Sequence, residues 1–175
     1  PSKTAPHQVS IQVFHQFQEL VPEEWLGMVT HKTLATVPLP EGPDTPGAIG
    51  VVIADDNTVR GLNKRYRGLD ENTDVLSFSF GHQGEYYGLG EPTSRWSEDS
   101  TFVVPPGEGT GLGEVIIAYP QAVRQARESL RTPQQEVASL LIHGILHLLG
   151  FDHALPEDDA AMKATETKVL AQVLE

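Results

Sequence analysis

Three histidines lie within eleven residues of this chain, at a spacing that suits a single metal ion. His143 and His147 are four residues apart, so on an α-helix they lie on the same face, about one turn from each other. Gly150 can adopt a left-handed conformation and end that helix, which lets the chain turn back and bring His153 to the same point. The spacing therefore predicts a metal site formed by His143, His147 and His153.

The predicted ligands indicate a catalytic zinc ion. Three neutral imidazoles leave one coordination position open to water, whereas structural zinc sites close all four positions, usually with cysteine, and this chain has no cysteine. A zinc ion held in this way lowers the pKa of its bound water toward about 7 and polarises phosphoryl oxygens. Two histidines four apart also occur on ordinary helices. The apolar residues around this pair favour ligation, because a buried imidazole needs a partner. We expect one Zn²⁺ per chain.

The residue after the first histidine excludes one familiar mechanism. The same histidine spacing occurs in metzincin peptidases, where a glutamate at that position acts as the general base. Here the position holds Gly144. A peptidase of that mechanism would lack its base, so the site is expected to serve another hydrolysis.

The segment from His143 to His153 resembles the zinc motif of the bacterial YbeY family, single-strand-specific endoribonucleases that act as rRNA maturation factors. Residues 63–68 (Asn-Lys-Arg-Tyr-Arg-Gly) and 73–78 (Thr-Asp-Val-Leu-Ser-Phe) resemble two further segments of that family. In residues 112–117, Glu114 stands where the family usually has aspartate. The similarity runs from about residue 49 to the C-terminus, with a break at about 81–111, where the family usually has a much shorter connection. It implies a zinc-dependent endoribonuclease that acts on single-stranded RNA at rRNA ends, with the ribosome or its small subunit as partner.

Cleavage of a phosphodiester also needs a fixed positive group, and the fork of arginine suits phosphate. Arg60, Lys64, Arg65 and Arg67 lie within eight residues that contain no acid. The resemblance points to Arg67 as the catalytic residue, because it matches the arginine of the family's Tyr-Arg-Gly segment. Lys64 and Arg65 are alternatives that the sequence does not separate, and positioning of backbone phosphates is the simpler role for all three.

Other charged residues are less specific. Arg124, Arg127 and Arg131 recur at helical spacing, a pattern more typical of a solvated helix face. Asp74 and Asp152 are candidates to orient the ligand histidines, although Asp152 could equally hold the turn after Gly150.

Length and composition fit one domain over residues 1–175 with a single sizeable core. The net charge of −12 argues against a general nucleic-acid coat, so RNA would have to be held locally. No apolar stretch approaches the roughly 20 residues that span a bilayer, and the first thirteen residues do not resemble a signal peptide. We therefore expect a cytoplasmic protein without membrane contact.

The pattern of elements predicts an α+β fold, a zincin-like mixed sheet packed with helices. We expect strands at 49–54, 74–80 and 113–118, and helices after Pro22, after Asp55, at 121–130, from Pro133 to about Leu149, and from Pro156. Two segments rich in glycine and proline separate them: a loop at 38–47 and an insertion at about 81–111, whose aromatic residues are expected to pin it to the domain surface.

Three functions remain open from the sequence. The first is the metal-dependent endoribonuclease that the resemblance implies. The second is a metal-dependent hydrolase of another substrate, such as a peptide or small ester. The third is a non-enzymatic ribosome-assembly factor with a structural metal. The position of the arginines relative to the metal discriminates between them: a basic groove at the histidines favours the first, an apolar pocket the second, and a metal sealed from solvent the third.

Overall fold

The computed structural model describes residues 8–37, 48–79, 112–151 and 156–174. A 3-10 turn, His15–Phe17, follows the first strand. The remaining elements are, in chain order, β1 (Val9–Val13), α1 (Glu23–Thr36), β2 (Ile49–Ala54), α2 (Asp56–Arg67), β3 (Val75–Ser79), β4 (Gly113–Ala118), α3 (Tyr119–Glu128), α4 (Pro133–Leu148) and α5 (Pro156–Val173). The expected strands and helices are present, with ends that differ by a few residues.

The four described strands form one mixed sheet in the order β1-β2-β4-β3. β1, β2 and β4 run parallel, whereas β3 pairs with β4 in the antiparallel direction and lies at the edge of the sheet that the described strands form. Helices cover both faces of this sheet. The predicted α+β, zincin-like arrangement is therefore confirmed.

The central strands β2 and β4 are almost continuously apolar because both of their faces are buried. On one face, Val51, Val115 and Ile117 join a large core with α1, α4 and α5. On the other face, Val52 and Ile116 join a smaller core with α2 and with alternate residues of β3. β3 therefore lies between the two helical layers, and its residues reach both.

Local signals in the sequence fix the two helices that carry the candidate site. The Thr132 side chain accepts a hydrogen bond from the Gln135 N–H at 3.1 Å, and the Gln135 side chain accepts one from the Thr132 N–H, so α4 begins with a capping box. Gly150, with φ of +95°, follows the end of α4 in the left-handed conformation that the sequence predicted. At the start of α2, the Asp55 carboxylate accepts from the Thr58 N–H at 2.7 Å.

Several predictions concern residues outside the described ranges. These are the loop at 38–47, the insertion at 81–111, and the end of the histidine motif at Asp152 and His153. The prediction of one domain over the whole chain also stays a prediction. Within the described part, no helix combines the length and apolar character needed to cross a membrane.

Candidate active site

A pocket of about 230 Å³ opens between the edge strand β3, helix α4 and the end of α2. The residues that line it are Arg67, Thr73, Asp74, Val75, Leu76, Ser77, Phe78, His143 and His147. Three of the segments singled out in the sequence therefore meet at one place, although they are up to 80 residues apart along the chain.

Helix α4 reaches this pocket because one of its residues has no side chain. A Cβ atom added at Gly144 would lie 2.7 Å from Cγ1 of Val115 and 3.0 Å from Oγ of Ser77. The Ser77 hydroxyl also donates a hydrogen bond to the Gly144 carbonyl at 3.3 Å. The helix backbone thus lies directly on β3 and β4 at this point. A glutamate at position 144 could not be accommodated here. The close packing therefore gives a steric reason why the general base of the metzincin peptidases is absent from this chain.

The two described histidines of the motif face each other. The Nε2 atoms of His143 and His147 are 2.9 Å apart, and the ring planes are inclined by 80°. The helical spacing predicted this approach, because residues four apart lie on one face. The side chain of His143 is 30% exposed, so the pair is open to solvent through the pocket.

In both rings the nitrogen that faces away from the other histidine, Nδ1, has a hydrogen-bond acceptor. Nδ1 of His147 donates to the Phe151 carbonyl oxygen at 3.1 Å, and Nδ1 of His143 contacts the Glu166 carboxylate. A carbonyl and an ionised carboxylate only accept, so in the neutral rings the proton lies on Nδ1 and the lone pair on Nε2. Two lone pairs that face each other at 2.9 Å repel unless a cation lies beside them. The donor set therefore fits a metal ion, and ligand histidines in metal sites characteristically donate their other N–H in this way.

The third predicted ligand, His153, lies outside the described residues, so its distance from the pair is not given by the structure. Among the residues that are described, no cluster of three or more histidine, cysteine, aspartate or glutamate side chains is arranged to hold a metal. The structure thus brings together two of the three predicted ligands.

Arg67 is the basic residue that lines the pocket in the described part of the chain. The preceding residue, Tyr66, is 1% exposed and its ring packs edge-on against Phe78 of β3 at 5.3 Å, which fixes the end of α2 against the sheet. The Nε atom of Arg67 is buried and has no hydrogen-bond partner among the described residues. A buried guanidinium N–H without a partner is a donor available to a ligand.

The other cations of the α2 cluster lie elsewhere. Arg60 and Lys64 approach the Asp70 carboxylate at 2.9 and 3.9 Å. These contacts lower the pKa of Asp70, chiefly through the hydrogen bond from Arg60. Neither Lys64 nor Arg65 lines the pocket. Of the three alternatives that the sequence left open, the structure places Arg67 beside the histidines.

Asp74 lines the pocket, but the hydrogen bonds of its carboxylate lead away from the imidazoles. Oδ1 accepts from the Val75 N–H at 2.8 Å, and Oδ2 accepts from the Gln125 side chain at 3.2 Å. Asp152, the other candidate for orienting a histidine, lies outside the described residues.

Sequence analysis missed Glu166, the carboxylate that contacts His143. The sequence did contain a signal for Glu166. Met162, Val169 and Val173 form the buried stripe of α5, and Glu166 falls on that stripe, four residues after Met162 and three before Val169. An acid on the inner face of an amphipathic helix needs a partner there. Met162 itself is fully buried and belongs to the main core.

The second arginine cluster does not reach the pocket. Arg124 forms an ion pair with Asp56 at 2.6 Å, and Arg131 lies 3.6 Å from the Glu136 carboxylate. Both arginine side chains are nearly half exposed. This agrees with the predicted solvated surface.

Fold and site together define an α+β protein in which a histidine pair of metal-ligand geometry and an arginine suited to phosphate share one open pocket. The profile of the family described as endoribonuclease YbeY matches residues 11–174. The chain belongs to this family.

Individual relatives are similar in sequence over nearly the whole chain. An endoribonuclease YbeY of Dehalococcoides mccartyi is 38% identical over 168 residues, which cover 96% of this chain and 91% of the relative. The protein of that name from Brevibacillus brevis is 32% identical, with 94% of this chain and 97% of the relative covered. The solution structure of TM1509 from Thermotoga maritima has a TM-score of 0.54 at 22% identity and covers 95% of this chain and 89% of that chain, which supports the fold.

Proposed function

We propose that this protein is a zinc-dependent endoribonuclease that cleaves single-stranded RNA during rRNA processing. The observation that carries this proposal is the presence of Arg67, His143 and His147 in one pocket. A metal site of any kind would need the histidines. A buried guanidinium N–H without a partner beside them is a donor that suits a phosphate oxygen, and the fork of arginine matches phosphate geometry.

His143, His147 and His153 would hold the zinc ion, with Nε2 as the donor atom of the first two. When bound, zinc supplies a Lewis acid and an activated water. Glu166 and the Phe151 carbonyl keep the protons of the first two rings on Nδ1. Arg67 then binds a phosphate oxygen of the RNA and neutralises the charge that grows on the pentavalent phosphorus.

Two features favour this function over the alternatives. A peptidase that used a glutamate after the first histidine is excluded sterically, because the Gly144 backbone packs against Val115. A purely structural metal would be closed off from solvent, whereas the side chain of His143 is 30% exposed and lines a pocket.

The acidic balance of the chain limits how RNA is bound. With a net charge of −12, the protein has little general attraction for phosphate, so binding depends on local groups such as Arg67. We propose that the ribosome or its small subunit presents the RNA end and compensates for the weak general attraction. The cytoplasmic location expected from the sequence remains part of this proposal.

Metal dependence is tested by cleavage of a labelled RNA that carries a single-stranded 3′ tail. We expect cleavage by the zinc-loaded protein, loss of cleavage after chelation, and recovery when zinc is restored. Elemental analysis should give one zinc per chain in the wild type and little in His147→Ala. Cleavage that survives chelation and is equal in His147→Ala would overturn the proposal.

A further inference from the structure

We propose that Glu166 is a positioning residue for the metal site: it holds His143 in the tautomer that presents the Nε2 lone pair and thereby raises the affinity for zinc. The inference rests on the metal site proposed above. Its basis is the contact between Nδ1 of His143 and the Glu166 carboxylate, which joins two helices across 23 residues of sequence. The role is distinct from ligation, because Glu166 contacts the outer nitrogen of the ring and not the nitrogen that faces His147.

The position of Glu166 on α5 indicates that the contact is built into the fold. Met162 and Val169, on either side of it on the inner stripe, are both fully buried in the main core. They fix the rotation of α5 about its axis, so the side chain between them must point at α4. The Glu166 side chain is 23% exposed, and a carboxylate in this partly buried place is stabilised by a donor such as the imidazole N–H.

The two rings of the pair differ in how they are held. His147 donates to the Phe151 carbonyl, which belongs to the turn directly after α4. His143 depends on a side chain from a separate helix. A carboxylate is the stronger acceptor, and its negative charge strengthens the attraction between the imidazole and a metal cation. Removing it should therefore weaken metal binding, and not only loosen the ring.

Zinc affinity is the direct test. The dissociation constant is measured by competition with a chromophoric chelator for wild type, Glu166→Gln and Glu166→Ala. Loss of the hydrogen-bond partner of a ligand histidine weakens metal binding by about 10–100-fold. We expect a loss in that range for Glu166→Ala and a smaller loss for Glu166→Gln, which retains an oxygen acceptor without the charge. Glu157→Gln, an exposed acid in the first turn of α5, is the matched control and should bind zinc as the wild type does.

A second readout separates positioning from simple helix docking. In the metal-free protein, long-range ¹H–¹⁵N NMR spectra should show the Nδ1–H tautomer for His143 in the wild type and a mixture in Glu166→Ala. If Glu166 only pins α5 to α4, Glu166→Ala lowers the metal-free melting temperature but leaves both the tautomer and the zinc affinity unchanged, and the inference is wrong. If wild type binds zinc no better than His147→Ala, the metal site itself falls, and this inference with it.

Discussion

The backbone of Gly144 lies against the side chain of Val115 so closely that a Cβ at position 144 would be 2.7 Å from Cγ1 of Val115. Gly144→Ala should therefore destabilise the fold, although alanine is the better helix former. Overpacking of this kind costs about 1–3 kcal/mol. Urea unfolding of the metal-free protein measures the change.

Gly61 of α2 is the matched control, because a Cβ there would meet nothing within 4 Å. Gly61→Ala should stabilise the protein by about 0.5–1 kcal/mol, since it gains helix propensity without a clash. Equal effects of the two substitutions would show that α4 does not approach the sheet as closely as described.

The stability of the folded state depends on pH through Glu136. Burial raises the pKa of its carboxyl above the ordinary value of 4.5; the nearby Arg131 opposes this rise and Asp74 adds to it. The folded state therefore holds this proton more tightly than the unfolded state, so stability falls as the pH rises from about 4.5 through the folded pKa. Glu136→Gln should be more stable than wild type at pH 7, because a neutral amide is less costly to bury than a carboxylate and the ion pair with the half-exposed Arg131 offsets at most about 1 kcal/mol of that cost.

This advantage of Glu136→Gln should disappear near pH 4, where the wild-type carboxyl is protonated in both states. Thermal unfolding at the two pH values checks it, with Glu128→Gln on the exposed surface as the control. A stability difference that does not change with pH would contradict the assignment.

The segment at 81–111 should be dispensable for metal binding. The strands on either side of it, β3 and β4, are antiparallel neighbours, and Ser79 lies opposite Gly113. Two strands in that arrangement can be joined by a loop of about two to five residues, which is the usual length of a β-hairpin loop. A variant with residues 81–111 replaced by a short Asn-Gly turn should fold and bind zinc with wild-type affinity. Loss of the fold would show that this segment belongs to the core.

Much of the fold was predictable because its signals are local. The apolar runs of β2 and β4, the Thr132 cap of α4 and the left-handed Gly150 each depend on neighbouring residues. The order of the strands was not predictable, since nothing within β3 alone shows that it pairs antiparallel with β4 at the edge. Pairing depends on contacts between residues distant in sequence.

The candidate site was likewise predictable where its signals are local and not where they depend on residues distant in sequence. His143 and His147 could be paired from their spacing, because one helix carries both. The family resemblance, and not spacing, selected Arg67 from its basic neighbours; the structure adds that Lys64 instead approaches Asp70. Glu166 escaped notice because its partner lies on another helix, and only the relative rotation of α4 and α5 brings the two together.

Cleavage of single-stranded RNA by Arg67→Ala tests most directly the claim that the arginine and the metal site act together on phosphate. We expect the variant to keep its fold and zinc content but to lose about 10²-fold or more of its activity, as when a donor to the transition state is removed. Arg60→Ala, on the same helix but paired with Asp70, should lose far less, and that loss should fade as salt is raised. Undiminished cleavage by zinc-loaded Arg67→Ala, with His147→Ala inactive in the same assay, would contradict the account.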